Sequence, residues 1–261
     1  MTSPTSPPGP PQGEPSASEP PQEQAPRPAE PERTGLPPLF DRGHRPPARL
    51  QRPPPVCAAV LGLSVGLFVV DAVLSRGATV SGSLGPLFQQ LALFGPLVRE
   101  GQYWRVLGCI VTHGGPLHLI FNMSVLYSLG MPFERAIGTG RFLWLSLITA
   151  LGASAFSLLF NFEVPTVGAS GMILGYGGAM LVTATREFRR SILFWLAQVA
   201  VLSLIPGISW AGHLGGFVFG LPVGVALRAG PRVFARAAPL LFAIALVVVY
   251  LTAHPELRGA R

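Results

Sequence analysis

Seven apolar runs follow one another from Val56 towards the end of the chain. Each run is close to the roughly 20 residues that a helix needs to cross a bilayer. Hydrocarbon offers no hydrogen-bond partners to a backbone, so we expect each run to be a helix. The second run is the least regular, because polar residues and Pro132 interrupt it. The pattern predicts an all-α multi-pass membrane protein with spans at about 56–75, 116–136, 142–160, 168–185, 191–207, 209–228 and 237–253.

The first 55 residues have a different composition from the rest of the chain. They hold 18 of the 28 prolines, with Ser, Glu, Gln and Arg between them and few large apolar side chains. Such a segment cannot bury enough apolar surface to offset the entropy cost of ordering it. We therefore expect residues 1–55 to form a disordered, proline-rich tail. The segment is also too long and too poor in apolar residues to be a cleavable signal peptide.

The charged residues carry information about topology. All 19 basic residues are arginine, and the formal net charge is +7. Twelve arginines fall in the last part of the tail, from Arg42 to Arg52, and in the connections after spans two, four and six, against five on the opposite side. Because arginine is enriched in cytoplasmic loops, this alternation predicts a cytoplasmic N-terminus. The positive net charge is therefore a sign of topology and not evidence for nucleic-acid binding. The arginine-only usage indicates a GC-rich bacterial genome and hence a plasma-membrane location. Cys57 and Cys109 are predicted at opposite faces of the membrane, so we expect no disulfide between them.

Four polar side chains are predicted at similar depth beneath the outer surface. His118, Ser170 and His213 each fall in or near the first turn of a span that begins on the outside. Asn122 follows His118 by four residues and therefore shares its helix face. Polar residues inside a membrane are costly, so their clustering favours a functional site. Taken singly, such residues are more often packing hydroxyls or interhelical hydrogen bonds, and that alternative stays open here.

Small residues line one face of each of two spans. Glycine recurs every fourth residue in the sixth span, and a matching stripe follows Ser170 in the fourth. Such stripes allow two helix backbones to approach closely. If these faces pack together, Ser170 and His213 meet at one end of the contact. The stripes consist of Gly212, Gly216, Gly220 and Gly224 in one span and of Gly171, Gly175, Gly178 and Ala179 in the other.

A serine next to a histidine permits acyl transfer. His213 is the only base on the facing helix that could take the proton from Ser170. The developing oxyanion needs donors, which Asn122, His118 and the backbone N–H of Ser170 could supply. No carboxylate for a triad is evident, since the two aspartates are Asp41 in the tail and Asp71 in the first span. The zinc motif His-Glu-x-x-His, an intramembrane aspartate pair and the Gly-x-Ser-x-Gly elbow are all missing from the sequence, so we expect neither a metal nor a cofactor.

Five short motifs follow one another in a fixed order: GQYWR (101–105), HGGPLHLIFNM (113–123), Glu134 with Gly138, GASG (168–171) and AGHLGGFVFG (211–220). Through these motifs, most of residues 85–225 resembles the rhomboid intramembrane serine proteases. The resemblance implies a six-helix transmembrane core over 56–228, with a seventh, C-terminal transmembrane helix and a short outer tail over 229–261. It implies a water-filled active site that opens to the outside and acts on transmembrane proteins in the bilayer.

The resemblance also assigns roles to residues. Ser170 is implied as the nucleophile, His213 as the general base, and His118 and Asn122 as oxyanion stabilisers. His113 and Glu134 are implied to be structural, while Trp104 and Arg105 belong to a loop partly in the outer leaflet.

One departure concerns the packing of His213. Many relatives carry an aromatic residue one turn after the serine, where this chain has Leu174. Tyr176 is expected to point elsewhere on the helix. The alternative function is a non-catalytic rhomboid-like protein that binds or escorts transmembrane clients. Such proteins characteristically lack the serine or the histidine, and this chain has both.

Overall fold

The computed structural model describes residues 53–80 and 85–259. The predicted disordered tail therefore lies outside the described residues, apart from its last three positions. Within the described ranges the chain is helical, and an isolated bridge between Leu93 and Thr166 is the one β-type pairing. The helices are α1 (Pro55–Leu74), α2 (Pro86–Leu91), α3 (Gly95–Arg99), α4 (Arg105–Gly108), α5 (Pro116–Val125), α6 (Met131–Ile137), α7 (Thr139–Phe160), α8 (Ser170–Thr183), α9 (Arg186–Leu202), α10 (Trp210–Arg228) and α11 (Pro231–Ala253).

The predicted all-α membrane fold is confirmed, but the number of spans is a finer question. Among the described residues four helices, α1, α7, α10 and α11, are long and apolar enough to cross a membrane. A fifth span arises if the bent pair Arg105–Val111 and Pro116–Ile137, which meet at 90°, is counted as one. Helix α8 has 14 residues, and α9 has 17 with charged residues in its first turn. The count of seven spans therefore stays a prediction.

The helix at the fifth predicted span begins and ends earlier than expected. We predicted 191–207, whereas α9 spans Arg186–Leu202. Its start is fixed by Thr185, whose hydroxyl accepts a hydrogen bond from the backbone N–H of Phe188 at 3.4 Å. Side chains of this type cap helices by accepting one of the first unpaired N–H groups. The helix stops before Pro206 and Gly207, which has a positive φ of 93°. Hydropathy alone ignores both signals.

The irregularity in the second predicted span is a local change of helix type. Residues Leu126–Gly130 form a π-helical segment between α5 and α6. Pro132 is the second residue of α6, and its ring cannot fit beside an undisturbed carbonyl one turn earlier. The wider π turn accommodates the proline without ending the helix. The chain therefore continues through this region as one irregular helical path.

Buried polar side chains hold the N-terminal end of α1 and the segment around Arg105. Glu134 accepts hydrogen bonds from the backbone N–H groups of Val56 at 3.0 Å and Cys57 at 2.8 Å, which confirms its expected structural role. Arg105 is 3% exposed and donates to the carbonyl oxygens of Gln89 at 2.7 Å and Ala92 at 2.9 Å. Both cysteines are free and buried, so the prediction of no disulfide is confirmed.

The two glycine-lined faces meet in the centre of the fold. A Cβ atom added to Gly216 would overlap the carbonyl oxygen of Gly171, and one added to Gly220 would overlap that of Gly175. A Cβ on Gly178 would lie 2.5 Å from the carbonyl oxygen of Phe217. Helices α8 and α10 therefore touch backbone to backbone, and the predicted close packing of the two stripes is confirmed. Helix α7 packs against both of them, and α11 packs on α7 through Trp144 and Phe242, whose ring centroids are 5.5 Å apart.

Candidate active site

The loop that precedes α8 sets the position of Ser170. Leu93 and Thr166 exchange two backbone hydrogen bonds, and the N–H of Gly168 donates to the carbonyl oxygen of Cys109 at 2.8 Å. Gly168 has a φ of 114°, a conformation that side chains other than glycine strain to adopt. Ser170 then forms the first residue of α8. Its backbone N–H is therefore one of the helix-start donors with no partner inside the helix.

Ser170 and His213 lie within hydrogen-bond distance of each other. Nε2 of His213 is 2.8 Å from Oγ of Ser170. Both side chains are partly exposed, Ser170 between the buried Ala169 and Gly171, and His213 next to the buried Gly212. His213 is the fourth residue of α10, which begins after Ser209, and the hydroxyl of Ser209 accepts from the N–H of Gly212 at 3.2 Å. Two helix starts therefore bring the two side chains together at the end of the glycine contact.

A second hydroxyl contacts the same imidazole, and the sequence arguments did not identify it. Oγ of Ser203 is 2.6 Å from Nδ1 of His213 and donates to the carbonyl oxygen of Val199 at 2.7 Å. Ser203 is 8% exposed and directly follows α9. The sequence signal that could have identified Ser203 is the turn at Pro206 and Gly207. A tight turn between two helices brings the end of the first helix beside the start of the second.

His118 borders the space in front of Ser170. A Cβ built on Gly168 would lie 2.7 Å from Nε2 of His118 and 3.8 Å from Oγ of Ser170. Nδ1 of His118 accepts a hydrogen bond from the backbone N–H of Gly114 at 3.4 Å. A neutral imidazole that accepts at one nitrogen carries its hydrogen on the other. The Nε2–H of His118 therefore faces the Gly168 side. The ring of His113 stands edge-on to that of His118, with centroids 5.2 Å apart.

Asn122 lies one turn further along α5 and is 2% exposed. Its amide nitrogen donates to the carbonyl oxygen of His118 at 2.9 Å, and its amide oxygen is buried with no hydrogen-bond partner. A side-chain amide has two N–H groups, so the bond to His118 engages only one of them. Among the described residues, the hydrogen bonds of the Asn122 side chain stay within α5. The structure thus places Asn122 one helical turn from His118, and the described hydrogen bonds of its side chain do not include one to Ser170.

The aromatic residue near the serine packs away from His213. Tyr176 is fully buried, and its hydroxyl lies 2.8 Å from Oγ of Ser146. Its ring centroid is 4.6 Å from that of Phe142. The expectation that Tyr176 points elsewhere is confirmed. Leu174, at the position where many relatives have an aromatic residue, is buried at 7% exposure.

Comparison with known proteins places this site in a family. The family model described as Rhomboid domain matches residues 100–230, half of the chain, and the match contains all four predicted site residues. The chain belongs to the rhomboid family. Together with its apolar helices, this membership makes it an integral multi-pass membrane protein.

Several curated rhomboid proteins are similar to the chain. It is 35% identical over 161 residues to Rhomboid protease GluP of Bacillus subtilis, a match that covers 59% of this chain and 31% of that protein. It is 37% identical over 164 residues to RHOMBOID-like protein 5 of Arabidopsis thaliana, covering 57% and 53%. Against Rhomboid protease GlpG of Yersinia enterocolitica the identity is 27% over 177 residues, covering 64% and 60%. The chain thus spans less than two thirds of the length of each of these relatives.

Across 53–80 and 85–259, no group of three or more His, Cys, Asp or Glu side chains is arranged to hold a metal ion.

Proposed function

We propose that this rhomboid-family protein is an intramembrane serine endopeptidase that uses Ser170 and His213 as a catalytic dyad. The observation that carries the proposal is the 2.8 Å separation between Nε2 of His213 and Oγ of Ser170. A serine hydroxyl becomes an effective nucleophile when an adjacent base can take its proton. Similarity to proteins named as rhomboid proteases supports the same reaction class.

The reaction requires two proton transfers through the same imidazole. Nε2 of His213 takes the hydroxyl proton while Oγ of Ser170 forms a bond to the carbonyl carbon of the substrate peptide. The carbonyl π electrons move to the oxygen, and His213 then gives its proton to the leaving amide nitrogen as the carbon–nitrogen bond breaks. The product is an acyl ester on Ser170 and a free amine. Water, activated by the same base, then hydrolyses the ester.

Three donors support the proposed oxyanion site. The backbone N–H of Ser170 is free of intrahelical bonding and lies at the positive end of the α8 dipole. The Nε2–H of His118 is directed to the Gly168 side, next to Ser170. Asn122 keeps one amide N–H beyond the one bonded to the His118 carbonyl. Donors of this kind stabilise the negative charge that develops on the carbonyl oxygen in the transition state.

The proposed substrates are membrane proteins. A helix exposes no peptide bond for attack until it unwinds, so we propose that the enzyme cleaves transmembrane or adjacent segments with small or helix-destabilising residues near their outer ends. We also propose the domain division 1–55, 56–228 and 229–261, a bacterial plasma-membrane location and a cytoplasmic N-terminus, which the arginine distribution supports.

The test is labelling of the purified full-length protein in detergent by a fluorescent fluorophosphonate. The wild type is expected to label, and Ser170→Ala to give no signal above background. His213→Ala is expected to label at least ~10²-fold more slowly, the lower range for a general base. Ser154→Ala is the control, because it removes the same hydroxyl group from a buried serine that donates to the carbonyl oxygen of Val106 and not to the proposed dyad.

A second assay separates a protease from a protein that only binds membrane clients. Wild type and Ser170→Ala are reconstituted with a reporter that carries one transmembrane segment, and cleavage is followed by electrophoresis. Cleavage by the wild type alone supports the proposal. Labelling that survives Ser170→Ala would contradict it, and so would a wild-type protein that binds the reporter but neither labels nor cleaves.

A further inference from the structure

The imidazole of His213 is held between two hydroxyl groups. Nε2 faces Ser170 at 2.8 Å, and Nδ1 faces Ser203 at 2.6 Å. In the dyad as proposed above, the second contact has no assigned purpose. A serine near a helix end often bonds back to a carbonyl of its own helix, which Ser203 also does. The contact with Nδ1 goes beyond that local pattern.

The direction of these hydrogen bonds follows from counting protons. The hydroxyl of Ser203 has one proton, and the carbonyl oxygen of Val199, 2.7 Å away, can only accept. Ser203 therefore donates to Val199 and can only accept from His213. Nδ1 of His213 must then carry the hydrogen. A neutral imidazole has one N–H, so its Nε2 presents a lone pair to the hydroxyl of Ser170.

We propose that Ser203 is a positioning residue that holds the His213 imidazole in the tautomer and orientation required of the base. It occupies the place that a carboxylate takes in a Ser–His–Asp triad, with a neutral hydroxyl instead. The inference rests on the proposed function, because a base needs positioning only if the dyad reacts. No other side chain in the described ranges forms a hydrogen bond with Nδ1 of His213.

The position of Ser203 is itself fixed by the fold. Its backbone N–H and its hydroxyl both donate to the carbonyl oxygen of Val199, at 2.8 Å and 2.7 Å. Donation to a carbonyl polarises the hydroxyl and makes its oxygen a better acceptor. When His213 gains the second proton, its Nδ1–H points at this polarised oxygen. Ser203 thus stabilises the imidazolium that forms during each proton transfer.

Ser146 provides a matched control for the experiment. Its hydroxyl also donates to the carbonyl oxygen four residues earlier, Phe142, at 2.8 Å, and also contacts one distant side chain, Tyr176, at 2.8 Å. It is 4% exposed, close to the 8% of Ser203. Removing either hydroxyl should therefore perturb folding to a similar degree. Of these two hydroxyl groups, only that of Ser203 touches the proposed dyad.

The first measurement compares steady-state cleavage of the reporter by wild type, Ser203→Ala, Ser203→Thr and Ser146→Ala. Active concentrations are set by titration with the fluorophosphonate, so that loss of folded protein does not lower the apparent rate. We expect kcat of Ser203→Ala to fall about threefold to tenfold with KM unchanged, equivalent to roughly 0.7–1.4 kcal/mol at 1.36 kcal/mol per decade. Ser203→Thr retains a hydroxyl and should recover most of the rate. A kcat for Ser203→Ala equal to that of Ser146→Ala would overturn the proposal, as would a change confined to KM.

The second measurement does not depend on activity. Protein labelled with ¹⁵N-histidine contains five imidazoles, and the His213 resonances are those missing from His213→Ala. We expect a protonated Nδ1 and an unprotonated Nε2 in the wild type, and a mixture of tautomers in Ser203→Ala. A wild-type imidazole protonated at Nε2 overturns the positioning role even if the enzyme is active. The expected tautomer in a protein that fails to cleave would refute the protease function while leaving the contact established.

Discussion

Adding one methyl group at Gly216 tests whether backbone contact sets the distance between Ser170 and His213, the proposed dyad. Gly216 faces Gly171, the residue after the proposed nucleophile, and a Cβ at position 216 would overlap the Gly171 carbonyl oxygen. The obstacle is backbone, so no side chain can rotate away. Ordinary carbon–oxygen contact needs about 3.5 Å, and the helices must therefore separate by about 1 Å or more. The 2.8 Å contact between Ser170 and His213 would then exceed hydrogen-bond distance.

The expected effects of Gly216→Ala are large on activity and moderate on stability. A misplacement of about 1 Å can reduce catalysis ~10²-fold. Overpacking of this kind costs about 1–3 kcal/mol of folding free energy. Both are measured on purified protein in detergent, the first as the fluorophosphonate labelling rate and the second as the shift in thermal unfolding midpoint.

Gly66→Ala in α1 is the matched control, because nothing lies within 4 Å of a Cβ at that position. It makes the same chemical change in a helix that does not carry Ser170 or His213. We expect it to leave the labelling rate and the unfolding midpoint close to those of the wild type. If Gly216→Ala labels and unfolds like Gly66→Ala, the claim that glycine contact sets the dyad distance is wrong.

Two further predictions concern the N-terminal end of α1 and the orientation of the chain. Glu134→Gln leaves one acceptor oxygen for the two N–H groups of Val56 and Cys57, so we expect a loss of about 1–3 kcal/mol, seen as a lower unfolding midpoint with the labelling rate per folded molecule unchanged. An unchanged midpoint would show that the capping contact contributes nothing. Trypsin added to intact cells should leave the arginine-containing tail uncut, whereas trypsin added to inverted vesicles should remove it. The reverse result would refute the proposed orientation.

Much of the fold could be predicted because a membrane-spanning helix requires a long apolar run, which is visible in the sequence. Helices α1, α7, α10 and α11 match the long apolar runs. The contact between α8 and α10 was also predictable, since glycine at four-residue spacing has a specific physical use. The predicted bounds of α9 were wrong because its start depends on the hydroxyl of Thr185, which caps the helix. A hydropathy average does not register a hydrogen bond of this kind.

The candidate site also has features that the sequence predicts and features that it does not. The contact between Ser170 and His213 was predictable because polar residues at matched depth on glycine-lined helices are unusual. Ser203 was not, because a serine at the end of a helix is commonplace in sequence. Its proposed role depends on the turn that brings it within 2.6 Å of His213, and that turn is a property of three-dimensional packing. The hydrogen bonding of Asn122 to its own helix was equally invisible in the spacing of residues.

The backbone contact between α8 and α10 also limits how this protein can move. At the glycine positions there are no rotamers to change, so the pair cannot adjust by repacking side chains. A slide of one helix along the other would drive carbonyl oxygens into neighbouring Cα atoms. The two helices therefore act as one rigid body, and if Ser170 is the proposed nucleophile, a displacement that admits a peptide to it has to come from the helices around them.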